Sequence, residues 1–328
     1  MLFRSRAPDR GWARDADNLA QTSTSSPTQA VCVSPLPPLP RYSPRGGKMG
    51  LRDRGKETDC FQSPTTSKVF LRTEILRTAV KKKSKIQLQI AAAGCIDIEH
   101  DLKVLLLENL ENDSGEDGYD IVDNFLSNNP YIVGKIEAAS SSPFTGNLIN
   151  KYFTVHRVYN AQKGKTENRI TAFDCPAWVL MELLSFGDFI RFYEYYYGLK
   201  GGMPVDISMI NLVKSLRNGC AHNNCIIADL NPGSSIAPAA IYRIIKTMPD
   251  INKNQRQKKL SCRAVLEFVS MLCVYDMVVS EKVKKHRINE LKQLFDVRIR
   301  EKKGFFQKNQ LITSTFDFVY KVIKNLFG

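Results

Sequence analysis

The sequence predicts an all-α fold preceded by a disordered N-terminal tail. Three observations carry that expectation: apolar residues recur at helical spacing from about residue 66 onward, strand-like alternation is scarce, and Pro, Ser, Thr, Gly and Arg crowd residues 1–65. With 328 residues, 43% of them hydrophobic, the chain can bury a substantial core. The tail cannot. A run such as Ser34-Pro-Leu-Pro-Pro-Leu-Pro40 has too little apolar surface to offset its ordering entropy. Its Pro-x-x-Pro spacing is a weak match to a groove-binding ligand. Arg45-Gly-Gly-Lys-Met49 can be written in purine-rich codons, which makes Met49 a candidate translation start.

Residues 66–328 form the expected helical domain. Val69, Ile75, Leu76, Val80, Ile86, Leu88, Ile90, Ile96, Ile98, Leu102, Leu105 and Leu106 keep helical spacing, with Gly94 as an expected interruption. Asn112 to Gly118 is a loop by its turn chemistry. A helical segment follows over 119–139, broken at Asn128-Asn-Pro130, and then a loop over 140–148. Asp174 and Pro176 mark the start of one long helix through Trp178 and Phe189 to about Gly198. Gly201-Gly202-Met-Pro204 turns the chain, and Asp206 caps a helix whose apolar stripe is Ile210, Leu212, Val213, Leu216 and Cys220. Helical patterns at 239–248, 260–281, 286–298 and 314–326 complete the set.

Charge and cysteine usage narrow the function classes. The net charge is +14; residues 1–60 hold 10 basic and 6 acidic groups, so +10 remains on the rest. A basic domain favours polyanions such as RNA, and a solvated basic surface is the bland alternative. The eight cysteines are scattered, several within apolar runs, as expected of free thiols in a reducing cytoplasm. The most apolar stretch, 262–280, carries Arg263, Glu267 and Asp276, so no membrane association is expected. Gly164-Lys165 lacks the upstream glycine of a phosphate-binding loop.

Chemistry concentrates on Ser215-Leu-Arg-Asn-Gly-Cys-Ala-His222. Metal-free RNA cleavage needs a group that moves a proton near neutral pH, and imidazole does so. It also needs a cation that grips the phosphate bidentately, and guanidinium does that. Arg217, Asn218 and His222 are therefore the candidate catalytic residues. On a regular helix, however, Arg217 and His222 diverge by about 140°, whereas Asn218 and His222 share a face. A wrapped arginine, a loosened helix end or two chains pooling their motifs would each resolve this. Two rival readings stand beside the catalytic one. Arg217 can pair with a carboxylate while His222 merely ends a helix, or Cys220, His222 and Cys225 can hold zinc, although their spacing is irregular and no fourth ligand is evident. No metal or cofactor is expected. For RNA contact the candidates are the basic runs Lys253, Arg256, Lys258, Lys259 and Lys282, Lys284, Lys285, Arg287.

Trp178, Glu182, Ser185, Phe186 and Gly187, followed by Arg217, Asn218 and His222, resemble the ordered motifs of the Abi family of abortive-infection proteins, which are similar to HEPN-superfamily ribonucleases. Asp97-Ile-Glu-His-Asp-Leu-Lys103 resembles that family's earlier helix, and Ile288–Arg298 its C-terminal part. The resemblance covers about residues 90–325. It implies a HEPN-like helical bundle that forms a homodimer, with two motifs making one RNA cleft. It also implies a place in phage defence or a toxin–antitoxin system, with an antitoxin or a phage-derived trigger as further partner. In that reaction His222 would be the acid or base, Arg217 the phosphate ligand and Asn218 a positioning residue, with Glu182 either a partner for Arg217 or simply the cap of a polar contact. Residues 1–85 do not look like the family's opening, and Asn223-Asn224-Cys225 replaces the usual basic or aromatic residues after the histidine. A catalytically silent module that binds RNA or protein is therefore the second reading.

Overall fold

The computed structural model describes residues 89–224, 229–299, 304 and 309–328. The expected tail over 1–65, the helical pattern over 66–88 and Cys225 lie outside the described residues.

Helices dominate, as expected. Residues 89–112 form α1. It is followed by α2 (Asp120–Ser127), α3 (Pro130–Ala139) and α4 (Gly146–Tyr152), and then by β1 (Phe153–Asn160) and β2 (Lys165–Phe173). The chain returns to helix in α5 (Ala177–Leu183), α6 (Phe186–Lys200) and α7 (Ile207–Ala221). After these come α8 (Ala239–Lys246), α9 (Lys253–Leu260), α10 (Arg263–Val278), α11 (Glu281–Lys292) and α12 (Gln310–Phe327). The final turns of α11 widen into a π-helix over Gln293–Ile299.

The core is organised around α10, which packs on α7, α9 and α12. It buries side chains nearly all round, from Val265 to Tyr275, as a central helix must. Among the described residues no helix is long and apolar enough to cross a membrane. The α1 helix runs straight through Gly94, contrary to the expected interruption. The reason is close packing: a Cβ at Gly94 would sit 3.1 Å from Met271 Sδ on α10. Gly94→Val is therefore expected to destabilise the protein by about 1–3 kcal/mol in urea unfolding. In Gly94→Ala, a helix-propensity gain of about 1 kcal/mol offsets a small shift of Met271.

One turn of α1 ties the bundle together. Asp97 Oδ2 accepts hydrogen bonds from Tyr275 Oη (3.0 Å) and from Arg287 Nε and Nη2 (3.1 and 3.0 Å). Asp101 Oδ2 accepts from the Ser280 backbone N–H at 3.3 Å, just ahead of α11. Arg287 thus belongs to the scaffold that joins α1, α10 and α11.

Besides the short helices α4 and α9, which fall where no helix is expected, two elements depart from the sequence expectation. The long helix expected from Asp174 to Gly198 is two helices. Leu184 and Ser185 are extended between them, and Ser185 Oγ caps α6 by accepting the Asp188 N–H. Burial alone would raise the Asp188 carboxyl. Hydrogen bonds from Lys135 (2.8 and 3.0 Å) and Ser185 (2.6 Å) outweigh it and hold that carboxyl below the usual range. The α6 helix ends at Gly201, whose φ of 77° suits glycine. The second departure is the antiparallel hairpin β1–β2, in register from Phe153↔Phe173 to Asn160↔Lys165 with an irregularity at Thr154/Val155. It leans on α3, where the Glu137 carboxylate accepts the Ile170 backbone N–H (2.9 Å) and Arg169 Nη1 (3.2 Å). Its outer half exposes both faces, including Val158 and Tyr159, so it shows no in–out alternation.

Candidate functional site

The α7 helix positions the motif. Asp206 caps its start by accepting the Ser208 N–H at 2.8 Å, and Ile210, Val213, Leu216 and Cys220 anchor its inner face. The helix is regular through Ala221. His222 is its C-cap, at φ −85°, ψ 8°. Asn223 then enters the left-handed region at φ 54°, the one non-glycine residue among those described to do so. The Asn223 N–H donates to Cys220 O (3.0 Å), and the Asn224 N–H donates to Gly219 O (2.9 Å). This pair of bonds is the Schellman closure, in which a left-handed residue satisfies the helix's last carbonyls. Asn223 suits this turn, because asparagine tolerates the left-handed conformation.

This closure settles the helix geometry raised by the sequence. The helix does not loosen before His222, so the divergence of about 140° between Arg217 and His222 persists. Asn218 and His222 are both exposed, and Arg217 is half-buried. The guanidinium turns to α1, where its Nε lies 3.8 Å from Glu99 Oε2; Glu99 also pairs with Lys103 at 3.5 Å. Glu182, the other candidate partner, is exposed on α5, and the carboxylate that pairs with Arg217 is Glu99. An ion pair this long with a 40% exposed arginine side chain is worth about 0–1 kcal/mol. It can therefore hold the side chain in place and still release it to a phosphate offering two charge-assisted hydrogen bonds.

The thiols near the motif are inert. Cys95 on α1 donates to Val213 O at 3.8 Å. Burial pushes it far above the usual thiol range, and the opposing pull of Arg217 does not offset this. Cys220 is buried, and burial raises it to about 11. It faces the core, as its place in the apolar stripe suggested. Among the described residues no group of three His, Cys, Asp or Glu side chains could hold a metal ion.

The expected RNA-contact residues divide. Arg256 is buried at the start of the α9 packing surface, with its guanidinium 4.8 Å from the Tyr242 ring centroid. Lys259 is buried and donates to Ser314 Oγ (2.7 Å) and Thr315 Oγ1 (2.8 Å), joining α9 to α12; burial lowers its pKa. Lys284 is buried against Asp276 and Glu281, with Nζ 2.8 Å from Glu281 Oε1. These three cations serve the packing of the bundle. Lys253, Lys258 and Lys285 are exposed. Trp178 packs edge-on to Tyr152, and Phe186 and Phe189 are buried, so all three belong to the core as their apolar spacing suggests.

Two neighbours of the motif went unassigned in the sequence. Glu99 could have been found as the carboxylate of the Asp97–Lys103 segment. Lys214 could have been found by counting: at i, i+4 and i+8, Lys214, Asn218 and His222 lie within about 80° of one another around α7.

The family model described as Abi-like protein matches residues 84–228, from α1 through the end of α7. No curated protein and no solved structure matches the chain. Residues 84–228, the segment that carries the Asp97 hub and the Arg217–His222 helix, are thus similar to the Abi-like protein family.

Proposed function

We propose that the protein is a metal-independent endoribonuclease of the HEPN kind, acting in phage defence by abortive infection or as a toxin restrained by an antitoxin. The observation that carries this reading is the end of α7: an exposed imidazole and an exposed amide on one face, beside a guanidinium held only by a weak ion pair. The Abi-like match supports the abortive-infection context.

In the proposed reaction one imidazole takes the proton from a ribose 2′-OH. The 2′-oxygen attacks the adjacent phosphorus, and the bond to the 5′-oxygen breaks as that oxygen receives a proton. The products are a 2′,3′-cyclic phosphate and a 5′-hydroxyl. Arg217 leaves Glu99 and stabilises the charge that develops on the phosphoryl oxygens. Asn218, one turn before His222 on the same face, orients the imidazole or the strand. Because the two motif side chains diverge on a regular helix, two copies of the chain supply them to one cleft. The Arg217–Glu99 pair also favours a second reading, a silent module that binds RNA or protein.

The test is induced expression of the full chain in bacteria, with RNA integrity and growth as readouts. Growth arrest with RNA cleavage is expected. Cleavage by the purified chain is expected to persist in EDTA; loss there would indicate a metal mechanism instead. Binding of RNA without any cleavage would favour the silent module.

A further inference from the structure

We propose that Lys214 is a second phosphate ligand, which holds a phosphate other than the scissile one on a single RNA strand laid along α7. This rests on the ribonuclease reading for the identity of the strand, but the binding it claims can be measured separately from cleavage.

Three observations carry it. The first is position. Lys214, Asn218 and His222 form one stripe, and the Lys214 and His222 backbones are about 12 Å apart along the helix axis. Helical side chains lean toward the N-terminus, so the ammonium lies farther still from the imidazole. Its Nζ indeed donates to Asn211 Oδ1 at 2.8 Å, nearly a turn further back. The second is an unbalanced charge. Lys103, Lys135, Lys163, Lys165, Lys200, Lys284 and Lys321 each pair with a carboxylate. Half-buried Lys214 has no carboxylate within 4.0 Å among the described residues; buried Lys259 also lacks one, but two hydroxyls accept from it. Its one polar partner among the described residues, for Lys214, is the neutral amide of Asn211. A partly desolvated cation without a counterion is a site for an external anion.

The third is preorganisation. The Lys214 stem passes the first turn of α6, where a Cβ on Gly187 would sit 3.7 Å from Lys214 Cδ. The Asn211 bond restrains the side chain, which lowers the rotamer entropy lost on binding a phosphate. Asn211, Lys214, Asn218 and His222 then offer an amide, an ammonium, an amide and an imidazole in sequence along one helix. This suits a backbone of repeating phosphates and makes no demand on base identity.

The experiment measures binding of a single-stranded RNA oligomer, 2′-O-methylated to prevent cleavage, to the full chain at several salt concentrations. Lys214→Gln is expected to weaken binding about 10-fold or more. It should also reduce the slope of log K against log salt by about 0.7, the share of one phosphate contact on a single strand. Lys214→Arg is expected to retain both. On cleavable RNA, Lys214→Gln should raise KM far more than it lowers kcat. Thermal unfolding should be unchanged, since the only hydrogen bond lost is to Asn211. An unchanged affinity and salt slope in Lys214→Gln would overturn the proposal, as would a wild-type chain that does not bind the oligomer. A wild type that binds the oligomer but never cuts RNA overturns the ribonuclease reading and leaves the Lys214 contact standing.

Discussion

Replacing His222 by alanine is expected to reduce RNA cleavage by about 10²–10⁴-fold, the usual worth of a positioned acid or base. The fold should survive. His222 is exposed at the cap of α7, and the bonds that close the helix come from the Asn223 and Asn224 backbones. Its melting temperature should therefore stay within a few degrees of wild type, since surface changes usually fall within about 0.5 kcal/mol. Purified wild type and His222→Ala, compared in initial rate on one RNA and in thermal unfolding, provide the measurement. Undiminished cleavage in the variant would remove the imidazole from the mechanism. Arg217→Ala should lose a comparable factor, because no neighbouring cation can replace the fork of a guanidinium on the phosphate.

The second large effect is a recovery. Arg217→Ala and His222→Ala chains, each inactive alone, are expected to regain activity when unfolded and refolded together. The reasoning is geometric: α7 stays regular to Ala221, so an arginine and an imidazole about 140° apart meet most easily across two chains. In a symmetric dimer formed by random mixing, about half of the assemblies pair one variant with the other. Each such assembly keeps one Arg217 and one His222. The rate should rise well over 10-fold above either variant alone. A mixture no faster than its parents would place the complete site within one chain, with the arginine wrapping round its own helix. The Glu99 ion pair is compatible with either outcome, since it is weak enough to be exchanged for a phosphate.

Much of the helical architecture is readable before any coordinates, because it rests on local rules. The cap at Asp206 and the break at Asn128-Asn-Pro130 fall where the sequence places them, since a capping carboxylate and a proline act through their own backbone neighbourhood. The split at Leu184-Ser185 is harder to see. Apolar residues continue across it, and only the serine cap interrupts the pattern. The hairpin is hidden because its outer half faces solvent on both sides, which removes the alternation that reveals a strand. The glycine at 94 misleads in the other direction: it resembles a breaker and is a contact point for Met271.

The catalytic candidates follow the same division. The Arg-Asn-x3-His spacing alone determines that Asn218 and His222 share a face and that Arg217 does not, because helix geometry is local. The sequence likewise determines that the inner face of α7 is apolar and that Cys220 lies on it. Tertiary structure alone decides that α7 closes at His222 through Asn223, that Glu99 rather than Glu182 meets Arg217, and which lysines are spent. Lys259 and Lys284 look like solvated charge in the chain, yet they are buried against Ser314, Thr315, Asp276 and Glu281. Lys214 looks no different from them, and among the described residues it meets only the neutral Asn211 amide. The reason is that a charge's partner depends on what other elements bring within about 4 Å of it, and no spacing rule along one helix contains that information.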